Sequence, residues 1–155
     1  MSGRIDARLA ELKIALPSAN APAGNYVPVV ISGNLAFVSG QIPMAQGEVK
    51  YKGRVGVDLT IEQGQEAARL CCINIVTQLK NALGGDLDRV KRCVKVGGFV
   101  NCEAGFPDQP KVINGASDLM VAVFGDAGRH ARFAVGTNAL PFNCAVEVEA
   151  TFEIA

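Results

Sequence analysis

The sequence predicts an α+β domain: one β-sheet with two main helices on a single face, preceded by a short helix. Three observations lead there. Hydrophobic periodicity switches between 2 and 3.6 without a linker or repeat, in the order strand, strand, helix, strand, helix, strand, strand. The last strand alternates strictly, with Ala145, Glu147, Glu149, Thr151 and Glu153 on one parity and Val146, Val148, Ala150, Phe152 and Ile154 on the other. A strand with a polar second face belongs to a sheet covered on one side, whereas parallel sheets covered on both sides need strands apolar on both. Finally, Thr60-Ile61-Glu62-Gln63 matches a capping box, and it opens a stripe of Ala68, Cys72, Ile75, Leu79 and Ala82 that Gly84-Gly85 stops.

The remaining elements follow in order. Ile5, Leu9, Leu12 and Leu16 make residues 3–16 an amphipathic helix ended by Pro17. The stretch "PSANAPAGNY" is a loop. Gly33-Asn34 between apolar runs predicts a hairpin, and Pro28 places its first strand at an edge. Residues 44–58 are polar and glycine-punctuated, with a short strand near Glu48–Tyr51. In the strand "VKRCVKVGGFVN", Val94, Val96, Gly98 and Val100 share a face opposite Lys91, Cys93 and Lys95. A second helix covers Pro110 to Phe124 with Val112, Ala116, Leu119, Met120 and Val123 as its stripe, closed by Gly125 and Gly128. In the strand Ala131–Thr137, the apolar parity of Ala131, Phe133 and Val135 is expected to meet the helices. Arg132, Ala134 and Gly136 then lie on the open face, as does Glu147.

A chain of 155 residues is expected to form one domain, 1–155, with residues 1–20 as a helical extension. The hydrophobic fraction of 49% exceeds the globular mean, so the surplus needs a large core or a subunit interface. Formal net charge is zero, which provides no long-range field toward nucleic acid or an anionic membrane. Five cysteines without CxxC spacing fit neither a disulfide framework nor a zinc site; buried free thiols in a reducing compartment are expected. Met1 begins a polar stretch, and no apolar run reaches the ~18 residues of a bilayer span, so a soluble cytoplasmic protein is expected.

No GxGxxG or Walker loop occurs, and "GGDLDRVK" is a helix stop and turn. His130 is the one histidine, so a His-based metal site is not supported. A loop histidine beside a strand is more often hydrogen-bonded than catalytic. Arg132 stands out among small residues. Its planar fork suits bidentate capture of a carboxylate or phosphate, although an Arg–Glu ion pair or a solvated face is the plainer reading.

The segments "GNYVPVVISGNLAFVSGQIP", "FVNCEAGF", "VINGASDL", "HARFAV" and "ALPFNCAVEVEA" resemble the YjgF/RidA family of imine/enamine deaminases, also called endoribonuclease L-PSP-like, from about Tyr26 to Ile154. The resemblance implies a chorismate-mutase-like mixed sheet, assembled as a homotrimer around a central barrel with clefts between subunits. It places the final strand between the first core strand and the middle one, so that Arg132 meets Glu147 of a neighbouring subunit. By position, Arg132 is the carboxylate clamp and Glu147 holds the attacking water. Tyr26 lines the pocket, Ser39 and Gly40 offer hydroxyl and backbone contacts, and Asn114 offers an amide. Ala134 stands where active deaminases commonly carry a cysteine that acts largely through its main chain. The plainer readings are an interface aromatic for Tyr26, a bulge for Ser39-Gly40 and a helix brace for Asn114.

The implied activity is hydrolysis of small 2-imino acids or enamines to 2-oxo acids and ammonia, with no metal or organic cofactor. The alternatives are a trimer that binds a small carboxylate without turnover, favoured by Ala134, and an endoribonuclease, against which zero net charge and few aromatics count. "GGFVN", "NGASDL" and "RLAELKIALP" mark a divergent subgroup.

Overall fold

The computed structural model describes residues 3–155. Helix α1 spans Arg4–Glu11, α2 Ile61–Ala82 and α3 Gln109–Phe124. Strands β1 (Val29–Ser32), β2 (Leu35–Gln41), β5 (Val90–Asn101), β6 (Ala131–Thr137) and β7 (Val146–Ile154) form one sheet in the order β1-β2-β7-β5-β6. The short strands β3 (Met44–Ala45) and β4 (Glu48–Val49) pair separately. Only β5 and β6 run parallel; the other neighbours in the large sheet are antiparallel. The sheet is therefore mixed, with the C-terminal strand at its centre.

The strict alternation of β7 decides which face is covered. Val146, Val148 and Phe152 are fully buried under the helices, with Ala150 and Ile154 nearly so. The capping box opens α2 as expected: Gln63 N–H donates to Thr60 Oγ1 at 3.1 Å, and Thr60 N–H donates to Gln63 Oε1 at 2.9 Å. The predicted stripe is buried except at its end, where Ala82 is exposed and Leu83 takes the inward position. Every residue of the predicted α3 stripe is buried. All five cysteines are buried free thiols, and burial pushes those of Cys93 and Cys144 up to about 12.

Three expectations need correction. Helix α1 stops at Glu11, not Leu16, because Lys13 turns the chain with φ 58°. Leu12, Ile14 and Leu16 continue as an irregular strap packed on the core. Strand β5 carries register shifts between Val90 and Arg92 and between Cys93 and Lys95. An extra residue inverts parity, so Cys93 is buried and Val94 is exposed.

The face of β6 is also the reverse of that expected. Arg132 pairs with Val96 and Ala134 with Gly98, and paired residues share a face. Val96 is fully buried, and a Cβ on Gly98 would meet Ile113 of α3. Arg132, Ala134 and Gly136 therefore face the helices. Phe133 lies on the open face against Phe99, ring centroids 5.4 Å apart and edge-on. The open face itself carries Val30, Phe37, Phe99 and Val135, all exposed, so its polarity could not sort the two parities.

Candidate active site

Glu147 leaves the covered centre of the sheet and points to the open face, opposite Phe99 of β5. Its space comes from β2. There the register with β7 slips between Val38 and Gln41, making Ser39-Gly40 a bulge. The Glu147 carboxylate lies over Gly40, where an added Cβ would collide with Oε1 and stand 3.1 Å from the carboxylate carbon. Burial pushes the Glu147 carboxyl above its ordinary value, and the nearby Glu149 charge adds to the rise. A cavity of about 290 Å³ opens beside it. Tyr26, Gly40, Phe142 and Glu147 line this cavity together with the loop Asn20–Ala23. The Ser39 hydroxyl is used elsewhere, donating to Val27 O at 2.9 Å and so fixing the approach to β1.

Arg132 sits at the other end of the sheet, on edge strand β6. Its length lets the guanidinium reach α3. Nη1 donates to Asn114 Oδ1 at 2.8 Å and to Ser117 Oγ at 3.1 Å, and Nη2 donates to Pro110 O at 3.4 Å. Asn114 thus braces the arginine directly. Ser117 is braced in turn, with His130 Nε2 2.8 Å from its Oγ and His130 Nδ1 2.7 Å from Gly128 O. A carbonyl only accepts, so Nδ1 carries the proton in the neutral ring, and Nε2 accepts the Ser117 hydroxyl proton. The serine oxygen then faces Arg132 with its lone pairs. The result is a directed chain from the guanidinium through Ser117 and His130 to the backbone.

One chain therefore holds two separate clusters. Tyr26, Gly40 and Glu147 share a cavity, while Arg132 and Asn114 lie together across β5 and on the opposite face of the sheet. Ala134, next to Arg132 but one, packs partly buried against the core. Ser117 and His130 were not assigned to the site from sequence. The available signal was the three-residue helical spacing from Asn114 to Ser117, which puts both on one face of α3.

No helix among the described residues is long and apolar enough to cross a membrane.

Relatives share this architecture. Protein TCP17 of Trypanosoma cruzi is 52% identical over 154 residues, which are 99% of this chain and 96% of that protein. The crystal structure of Atu1372 from Agrobacterium tumefaciens, a protein of unknown function, is 50% identical with a TM-score of 0.91, covering 97% of this chain and 92% of that one. A "putative endoribonuclease" from Shewanella oneidensis MR-1 is 36% identical with a TM-score of 0.94, over 98% and 100% of the two chains. A family model described as "YjgF/chorismate mutase-like, putative endoribonuclease" matches residues 6–153. With this match spanning nearly the whole chain, the protein belongs to the YjgF/RidA family.

Proposed function

We propose that the protein hydrolyses small 2-imino acids, or their enamine tautomers, to 2-oxo acids and ammonia, in clefts between the subunits of a homotrimer. The observation that carries this reading is the half-buried Glu147 carboxyl. It is pushed up by desolvation, set over a residue without a side chain and open to a cavity. A carboxylate so raised is a better proton acceptor than one in water. It aligns a water and takes its proton as the oxygen adds to the imine carbon. Glu147 gives this proton to the imine nitrogen, which completes a neutral carbinolamine. The carboxylate then takes the hydroxyl proton as the carbonyl forms and passes it to the departing nitrogen as the C–N bond breaks, so that ammonia leaves.

Arg132 of an adjacent subunit holds the substrate carboxylate through charge-assisted hydrogen bonds, removing orientational freedom from the attack. Two features support assigning the clamp to a second subunit. Arg132 and Glu147 lie on opposite faces of one chain's sheet, and the exposed Val30, Phe37, Phe99 and Val135 need a cover. The reaction requires no group beyond these side chains and water.

Ammonia release from enzymatically generated imino acids tests the proposal. Wild type is expected to exceed the spontaneous rate, and Arg132→Ala is expected to fall back to it. Equal rates with and without wild-type protein refute the activity. Two other readings have specific support. Ala134, at the position where active deaminases commonly carry cysteine, favours a carboxylate-binding trimer without turnover. The family's own description favours an endoribonuclease, which RNA cleavage that weakens steeply with salt would establish.

A further inference from the structure

The cavity beside Glu147 has more construction than a water-activating carboxyl needs. Much of its lining is apolar, including Pro22, Ile42, Met44, Pro141 and Phe142. Two of its walls are irregular chain, and buried amides of α2 fix both. Gln78 is 3% exposed and donates from Nε2 to Asn20 O at 2.8 Å, which ties down the loop before β1. Asn74, one turn earlier and equally buried, donates from Nδ2 to Ile42 O and Met44 O, both at 3.0 Å. Buried amides are costly unless satisfied, and these two are satisfied by the walls of one cavity.

The third wall is strained. Phe142 has φ 56° and ψ 22°, and Asn143 follows with φ 57°. A bulky residue rarely adopts this left-handed conformation, and such strain persists only where the surroundings enforce it. Asn101 supplies part of the enforcement. It is 1% exposed, and its Nδ2 donates to Cys144 O at 3.1 Å and to Asn143 Oδ1 at 3.3 Å. Gly53 N–H holds Asn143 O at 2.8 Å. The turn thus presents an aromatic ring, 65% exposed, at a cavity that also contains Glu147. A ring held out in this way offers apolar surface to whatever enters the cavity.

We propose that this cavity receives the apolar side chain of the substrate and that Phe142 is its specificity-determining residue. Preferred substrates then carry a branched or aromatic group, not a bare methyl or methylene. The inference rests on the reading of Glu147 as the group at the reacting carbon, since the side chain is the next substituent outward from that carbon. About 290 Å³ lies at the small end of ligand sites, which suits one amino-acid-sized group.

Binding calorimetry on the assembled full chain tests this with three 2-oxo acids: pyruvate, 4-methyl-2-oxopentanoate and phenylpyruvate. The two bulky acids are expected to bind at least about tenfold more tightly than pyruvate, since even one methylene in an apolar pocket gives roughly that discrimination. Phe142→Asn removes the ring but tolerates the left-handed backbone. It is expected to lose about tenfold in phenylpyruvate affinity and far less for pyruvate, while Phe142→Leu retains the preference. Equal affinity of wild type for pyruvate and phenylpyruvate overturns the inference. So does unchanged discrimination in Phe142→Asn, or a change in assembly without a change in discrimination, which would make the ring an intersubunit contact.

If none of the three acids binds, the carboxylate reading of the site fails, and uncharged phenylacetamide decides the pocket separately. Shifts of the Ile42 and Met44 methyl resonances sustain it; their absence overturns it.

Discussion

Glu147 is where structure and chemistry make opposite demands. Its folded-state pKa is raised above the ordinary 4.5, so between those two values the native state holds a proton that the unfolded chain has lost. Stability from this group is present below the unfolded pKa and declines as pH rises through the folded one. Glu147→Gln removes that penalty while keeping the shape. At pH 7 the variant is expected to be more stable than wild type by denaturant unfolding at equal protein concentration, and near pH 4 the advantage is expected to vanish. In the proposed deaminase the same change lowers the chemical rate by roughly 10²–10⁴-fold and largely spares ligand binding. A variant both less stable and fully active at pH 7 contradicts both halves of the argument. Arg132 allows a subtler test through Ser117. Ser117→Ala removes the link that joins the guanidinium to His130, without touching the arginine. Losing one hydrogen bond of about 1 kcal/mol is expected to raise KM about fivefold with little change in kcat, and Ser117→Thr is expected to restore it. A loss confined to kcat would remove Ser117 from this positioning role.

Helices α2 and α3 meet at Gly115, where an added Cβ would run into the Gln65 carbonyl oxygen of α2. Alanine is the better helix former by about 1 kcal/mol, which alone predicts stabilisation by Gly115→Ala. The obstruction, however, is backbone, so relief requires the helices to separate. Overpacking of this kind costs about 1–3 kcal/mol, and Gly115→Ala is expected to destabilise the fold in denaturant titration. The elements themselves were mostly legible in the sequence. Helix α2 has a complete capping box, α3 has an unbroken stripe, and β7 has perfect alternation. Each of these signals is local and redundant. The failures arise where tertiary context decides. The β5 bulges leave no residue signature, so parity read through Cys93 and Val94 came out inverted. On β6 the large apolar residues Phe133 and Val135 lie on the open face, while Arg132 faces α3 and finds three hydrogen-bond acceptors there. Of the candidate site, the alternation of β7 placed Glu147 on the open face together with Glu149 and Glu153, and only the family resemblance singled it out from them. The walls built by Asn74, Gln78 and Asn101 were not legible, because a buried amide on an apolar helix or strand face looks in sequence like an imperfection in the stripe.

At the scale of the whole molecule, the sheet has one covered face and one that is unfinished. Val30, Phe37, Phe99 and Val135 are each more than a third exposed on the uncovered side. Most of the apolar content lies in the core, and the proposed trimer buries these four as well. Assembly alone does not prove a shared site, since a trimer could carry three independent ones. Subunit mixing separates the possibilities. Arg132→Ala chains lack the clamp and Glu147→Gln chains lack the proton acceptor, so each homotrimer is expected to be inactive alone. After joint unfolding and refolding at equal amounts, subunits distribute at random. If each cleft takes Arg132 from one subunit and Glu147 from the next, about a quarter of the clefts receive both intact residues. Ammonia release is then expected to recover to about one quarter of the wild-type value. Sites contained within single chains predict no recovery at any mixing ratio, because every chain carries one of the two lesions. Recovery in the mixture, with none in either variant refolded alone, is the outcome that requires the two clusters to meet across a subunit boundary.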